Sequence, residues 1–96
     1  MENKQDTILK LIDRLMNLYK EGKISIHEFA IDLEGYVFML EGSDNFKSMF
    51  IKNWENIEIA YSLMLESERD SMNAHETEIF NEGFEGLKKI MSCNLH

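Results

Sequence analysis

No proline interrupts any of the 96 residues, and apolar side chains recur three and four positions apart from one end to the other. Proline is the strongest breaker of a helix, and a three-to-four spacing places apolar groups on one helical face. A chain with this pattern is expected to fold as helices. Only five glycines are present, which suits short connections. No segment reads as a strand: Val37-Phe38-Met39-Leu40 could in isolation, but it continues a helical period. At this length the expectation is one domain over residues 1–96, all-α, an antiparallel four-helix bundle.

Four helices follow from their start and stop signals. The first runs from about Thr7 to Glu21, with Asp6 as N-cap and Ile8, Leu11, Ile12, Leu15, Leu18 and Tyr19 as its buried face. Gly22 stops it, because glycine takes the left-handed conformation that follows a helix C-terminus. Ser25-x-x-Glu28 reads as a capping box opening the second helix, with Ile24 as a hydrophobic staple. Ile26, Phe29, Ala30, Leu33, Val37 and Leu40 form its buried stripe, and Gly42 closes it. Ile31, Gly35 and Phe38 form a second stripe that a one-sided surface helix does not need.

The third helix spans about Asn45 to Glu66, capped by Ser43 or Asp44. Phe46, Met49, Phe50, Trp54, Ile57, Ala60, Tyr61 and Met64 line one side, and Ile51, Ile59 and Leu63 lie off it. Apolar most of the way round, it is expected at the centre, with Lys52-Asn53 as a candidate break. Ser67 to Met72 reads as a loop. Asn73-x-x-Glu76 is a second cap pattern, opening a helix to about Ser92 that buries Ile79, Phe80, Phe84, Leu87, Ile90 and Met91. Gly83 falls on that apolar face, where a missing side chain admits another helix. It costs about 1 kcal/mol of helix propensity relative to alanine.

Charge is the feature that speaks to function. Between Glu66 and Glu85 lie seven acids and one base, Arg69, a net −6 of the chain's −8. The first 23 residues carry five bases against four acids. A concentrated acidic surface repels nucleic acid and anionic membrane and attracts basic proteins. Glu78, Glu82 and Glu85 cluster opposite the apolar face of the fourth helix, Glu85 with Lys89 four residues on as an ion-pair candidate. An ordinary solvated face explains such a ridge equally well. The neighbouring Glu66, Glu68 and Asp70 favour docking, because crowded like charges repel where dispersed ones would not.

Other chemistries find little footing. His27, His75 and His96 are scattered, and Cys93-x-x-His96 has no second ligand pair, so no metal is expected. His27-Glu28 with Asp32 one turn on offers a carboxylate–imidazole pairing, but capping already accounts for Glu28. Cys93 has no base near it in sequence, and no phosphate loop or calcium loop is present. The expectation is a protein without catalysis or cofactor. Lys10, Arg14 and Lys20 are too few for direct nucleic-acid contact. One cysteine and a polar N-terminus without a signal-type apolar run make the cytoplasm the expected compartment, and no run approaches the roughly 20 residues of a membrane span. The seven methionines read as a forgiving core.

The stretch Glu21-Gly22-Lys23-Ile24-Ser25-Ile26-His27-Glu28-Phe29 ends one helix, continues Lys-Ile-Ser, and opens the next with an apolar residue and Glu-Phe. In this it resembles the colicin D immunity protein family and the similar small helical immunity proteins of contact-dependent growth inhibition systems. Length, acidity and an aromatic-rich third helix agree over most of the chain. The resemblance implies a four-helix protein that binds a cognate toxin domain, often a tRNA-cleaving nuclease, and blocks its active site. It carries over no contact residue, so Glu78, Glu82, Glu85, Glu66, Glu68 and Asp70 come from the charge distribution alone. The expected partner is a basic nuclease toxin domain. The alternative is a helical protein that self-associates through Ile31, Phe38, Ile59 and Leu63, and a homodimer could serve both roles.

Overall fold

The computed structural model describes residues 4–40 and 44–94, without the side chains of Asp44, Cys93 and Asn94. The cap at Ser43, Gly42 itself and the Cys93–His96 spacing lie outside that description, but the second helix ends before the expected glycine: Leu40 is already extended, at φ −67° and ψ 138°, and is its C-cap. Four helices make up the fold: α1 (Lys4–Lys20), α2 (Ile26–Met39), α3 (Asp44–Glu66) and α4 (Ala74–Asn94). No strand occurs among the described residues. The helices form an all-α antiparallel bundle in which α1 packs on α2, α2 on α3, α3 most extensively on α4, and α4 on α1. No helix of the described residues is long and apolar enough to cross a membrane.

Local sequence sets most helix ends. Gly22 adopts φ +75°, the N–H of Lys23 bonds Leu18 O at 2.9 Å, and that of Gly22 bonds Tyr19 O at 3.0 Å. Together these are a Schellman closure, which satisfies carbonyls the helix leaves unpaired. Ser25 caps α2, its Oγ accepting from the Glu28 N–H at 3.1 Å. The box is half made, since the Glu28 carboxylate meets the Ser25 hydroxyl rather than its backbone. Asp6 is not the cap of α1: Lys4 and Gln5 before it are already helical, and Asp6 lies within the helix. An acid there still complements the helix dipole.

The core gathers Phe29, Phe50, Ile12, Leu33, Ile57, Met64 and Leu87, all fully buried. Tyr19, Phe29, Phe80 and Phe84 bring α1, α2 and α4 together, with Tyr19 stacked on Phe29 at 4.8 Å. Such ring pairs add about 0.5–1.5 kcal/mol each beyond the area they bury. Burial holds the Tyr19 hydroxyl above its ordinary pKa. On α1 the buried face is rotated from the expected one: Leu9 and Met16 are inside, Leu11 is exposed and Leu18 half-buried. The helix wedges between α2 and α4, so its stripe points between them. The buried stripe of α2 is as expected.

Helix α3 is not central. It meets α2 and α4 but not α1, and Met49, Ile51, Ile59 and Leu65 stand exposed on it. It is also unbroken at Lys52-Asn53; the Asn53 side chain instead donates to Met49 O at 2.8 Å. The close approach expected at Gly83 is present. A Cβ there would overlap the Asn53 backbone carbonyl and lie 2.8 Å from Asn56 Cβ, and a Cβ on Gly86 would overlap the Asn53 side chain. Two glycines one turn apart thus seat α4 on α3.

Candidate functional site

The acidic segment begins where α3 ends. Glu68 holds φ +53°, while the Arg69 N–H bonds Met64 O at 3.2 Å and the Glu68 N–H bonds Leu65 O at 3.0 Å. This is the same closure as at Gly22, built on a glutamate. A side chain in the left-handed region is disfavoured by about 1–2 kcal/mol. Side-chain bonds between the loop and the start of α4 hold that strain. Arg69 donates one guanidinium nitrogen to Ser71 O at 3.2 Å and another to the Glu76 carboxylate. Glu76 also accepts from the Asn73 N–H at 3.1 Å, and the Glu76 N–H donates to Asn73 Oδ1 at 2.8 Å. The capping box of α4 is complete and reciprocal, and its buried carboxylate is clamped by the last turn of the loop before it.

This clamp sorts the charges. Glu76 is 3% exposed, and the hydrogen bond from Arg69 holds its carboxyl below the ordinary 4.5 against the opposing effect of burial. The one base of the segment is therefore consumed by the one buried acid. The other six acids, Glu66, Glu68, Asp70, Glu78, Glu82 and Glu85, are all exposed. None makes an ion pair among the described residues, and the pairing expected between Glu85 and Lys89 does not form. Glu66 ends α3, Glu68 and Asp70 crown the clamped loop, and Glu78, Glu82 and Glu85 run along the solvent side of α4. The withdrawal of Arg69 was not legible in the sequence; its spacing of seven from Glu76 has no local rule.

Two surface depressions among the described residues are small. One, of roughly 170 Å³, lies beside Tyr19, Phe80 and Phe84, with Lys20, Asn81 and Glu85 at its rim. Another, of roughly 190 Å³, lies between α1 and α2 by Leu11, Arg14, Asp32 and Tyr36. Both fall short of the roughly 300–1,000 Å³ of a small-molecule site. No group of three His, Cys, Asp or Glu among the described residues could hold a metal. His27 is used in packing: its Nδ1 lies 2.9 Å from the Tyr61 hydroxyl, tying the start of α2 to α3.

The four apolar residues of the expected self-association seam do not form one strip. Ile31 is 63% and Phe38 72% exposed, on the α2 edge whose Phe38 ring meets Trp54 of α3 edge-on at 5.9 Å. At about 100° per residue, Ile59 and Leu63 stand more than a third of a turn round α3 from Trp54 and Tyr61. No family model, curated protein or solved structure matches this chain.

Proposed function

We propose that this protein is a non-catalytic binding module that neutralises a basic, nucleic-acid-cleaving toxin domain by occupying its cleft with carboxylates. The observation that carries the reading is the set of six exposed acids that make no ion pair among the described residues once Arg69 is drawn onto Glu76. A cleft that holds RNA must be basic, and carboxylates on a rigid helix can compete for it where phosphate would sit. Opposite charge also speeds capture, to about 10⁸–10⁹ M⁻¹s⁻¹ in steered pairs. The Glu21-to-Phe29 stretch and its resemblance to colicin D-type immunity proteins supply the toxin; the charge alone supplies only a basic protein.

The test is the product of the adjacent gene. A large secreted protein ending in a basic domain is expected upstream, and this chain should block that domain's RNA cleavage in a purified assay. Cleavage that continues at saturating concentrations of this chain would overturn the reading. A second reading, self-association, draws on the exposure of Ile31, Phe38 and Ile59. Sedimentation across a wide concentration range decides it, a strict monomer removing it.

A further inference from the structure

One face of the molecule is left over by both the core and the acidic ridge. Along the outer edge where α2 meets α3, Phe38 lies against Trp54 and His27 against Tyr61. Between these two contacts α2 presents Ile31, Glu34 and Gly35, and α3 presents Glu58. Ile31 and Phe38 are the two most exposed large apolar residues of the described chain, and monomers rarely leave contiguous apolar area uncovered. Gly35 sits between them with nothing within 4 Å of where its Cβ would be, so no intramolecular packing accounts for that glycine. The Trp54 indole N–H is shielded from solvent and has no hydrogen-bond partner among the described residues. Glu58 is half-buried here, and burial first and Glu34 second push its carboxyl above the ordinary value.

We propose that this α2–α3 face is a docking groove for a basic amphipathic helix of a partner protein, its apolar side chains lying on Ile31 and Phe38 across the notch at Gly35, and an arginine or lysine entering between Glu34 and Glu58. Charge selects the occupant. A second copy, at net −8, would bring Glu34 and Glu58 against carboxylates of its own kind, and an anionic membrane would be repelled. Ile31 and Phe38 stand two turns apart on α2, a spacing that the i, i+7 anchors of an amphipathic helix can match. The proposal extends the reading of the chain as a binder of basic protein, but it shares no residue with the α4 ridge.

The experiment uses the full chain and a synthetic peptide of about 18 residues, long enough to hold a helix, with leucine and arginine along one face. Two controls have the same composition scrambled and arginine replaced by glutamate. Trp54 is the only tryptophan, so its emission reports occupancy of this face. The arginine peptide should bind saturably and shift that emission. Its Kd should rise about tenfold or more in Glu34→Gln/Glu58→Gln and in Ile31→Ser, as at a binding hot spot, and change less than about twofold in Glu78→Gln/Glu82→Gln/Glu85→Gln, where distant exposed charges are screened. No binding, or equal binding of either control, overturns the groove. Loss of binding in the α4 variant alone sustains the acidic ridge and overturns this face. Sedimentation as a dimer that Ile31→Ser dissociates assigns the face to a second copy and overturns the proposed occupant.

Discussion

At Glu68 the backbone and the surface ask for different residues. The left-handed φ of +53° favours glycine, and a side chain there is disfavoured by about 1–2 kcal/mol. Glu68→Gly should therefore stabilise the fold by about 1 kcal/mol, raising Tm by roughly 4–8 °C for a domain of this size. If the loop docks on a basic partner, the same change should slow association. Calorimetry and stopped-flow binding on one variant test both halves; an unchanged Tm would show that the turn is not strained. Glu76 and Glu58 titrate in opposite senses. The Glu76 carboxyl is held below 4.5, chiefly by the Arg69 hydrogen bond. It stabilises the fold above that pH and loses the contribution as pH falls through its lowered value. Glu58 is raised by burial and by Glu34, so its relief is complete below 4.5 and is lost as pH rises through the raised value. Glu76→Gln should lower Tm at pH 7 and Glu58→Gln should raise it; the Glu58 difference should close below 4.5, and the Glu76 difference only as pH falls further, through its lowered value. Parallel Tm–pH curves for either variant and the parent protein would contradict the assigned cause.

At the scale of the element, glycines in α2 and α4 do opposite jobs. Gly83 seats α4 against the α3 backbone, so a methyl there meets the Asn53 carbonyl and Asn56 Cβ, neither of which can swing away. Gly83→Ala gains about 1 kcal/mol of helix propensity and loses more to overpacking, of order 1–3 kcal/mol. Net destabilisation is the expected result. Gly35→Ala meets open space and should stabilise by about 0.5–1 kcal/mol. Chemical denaturation of the pair reads the contrast directly, and an equal sign for both would refute the helix contact at Gly83. The half-made box at Ser25 and the complete one at Asn73 differ in the same manner. Only Glu76 is locked from behind by another element.

For the whole molecule, the net −8 is displayed unevenly, with six exposed acids on α4, the turn before it and the last residue of α3. Binding of a basic partner through Glu78, Glu82 and Glu85 should weaken as salt rises, because exposed charges are screened within about 8 Å at physiological ionic strength. Reversing the three to lysine should slow association more than it speeds dissociation. An association rate indifferent to both salt and reversal would remove this face from the interface. Contacts at Ile31 and Phe38 would behave oppositely and resist salt.

Much of this was legible residue by residue, because helix signals are local. The stop at Gly22, the caps at Ser25 and Asn73, the buried stripe of α2 and the close approach at Gly83 each depend on neighbours within a few positions. The exposure of Glu78, Glu82 and Glu85 followed from the helical period of α4. What tertiary structure alone decided depends on which helices meet. The sequence shows α3 as apolar on several sides but not that it misses α1, so its Met49, Ile51, Ile59 and Leu65 were expected inside or left unassigned and stand in solvent. The face of α1 turned toward Leu9 and Met16 because two partners, not one, compete for it. The left-handed Glu68 carried no glycine to announce it, and Arg69 reached Glu76 across a turn whose path no periodicity describes. Local hydrogen bonds write their own rules into the chain, whereas packing between elements and pairing across a loop are settled only when the helices are laid against one another.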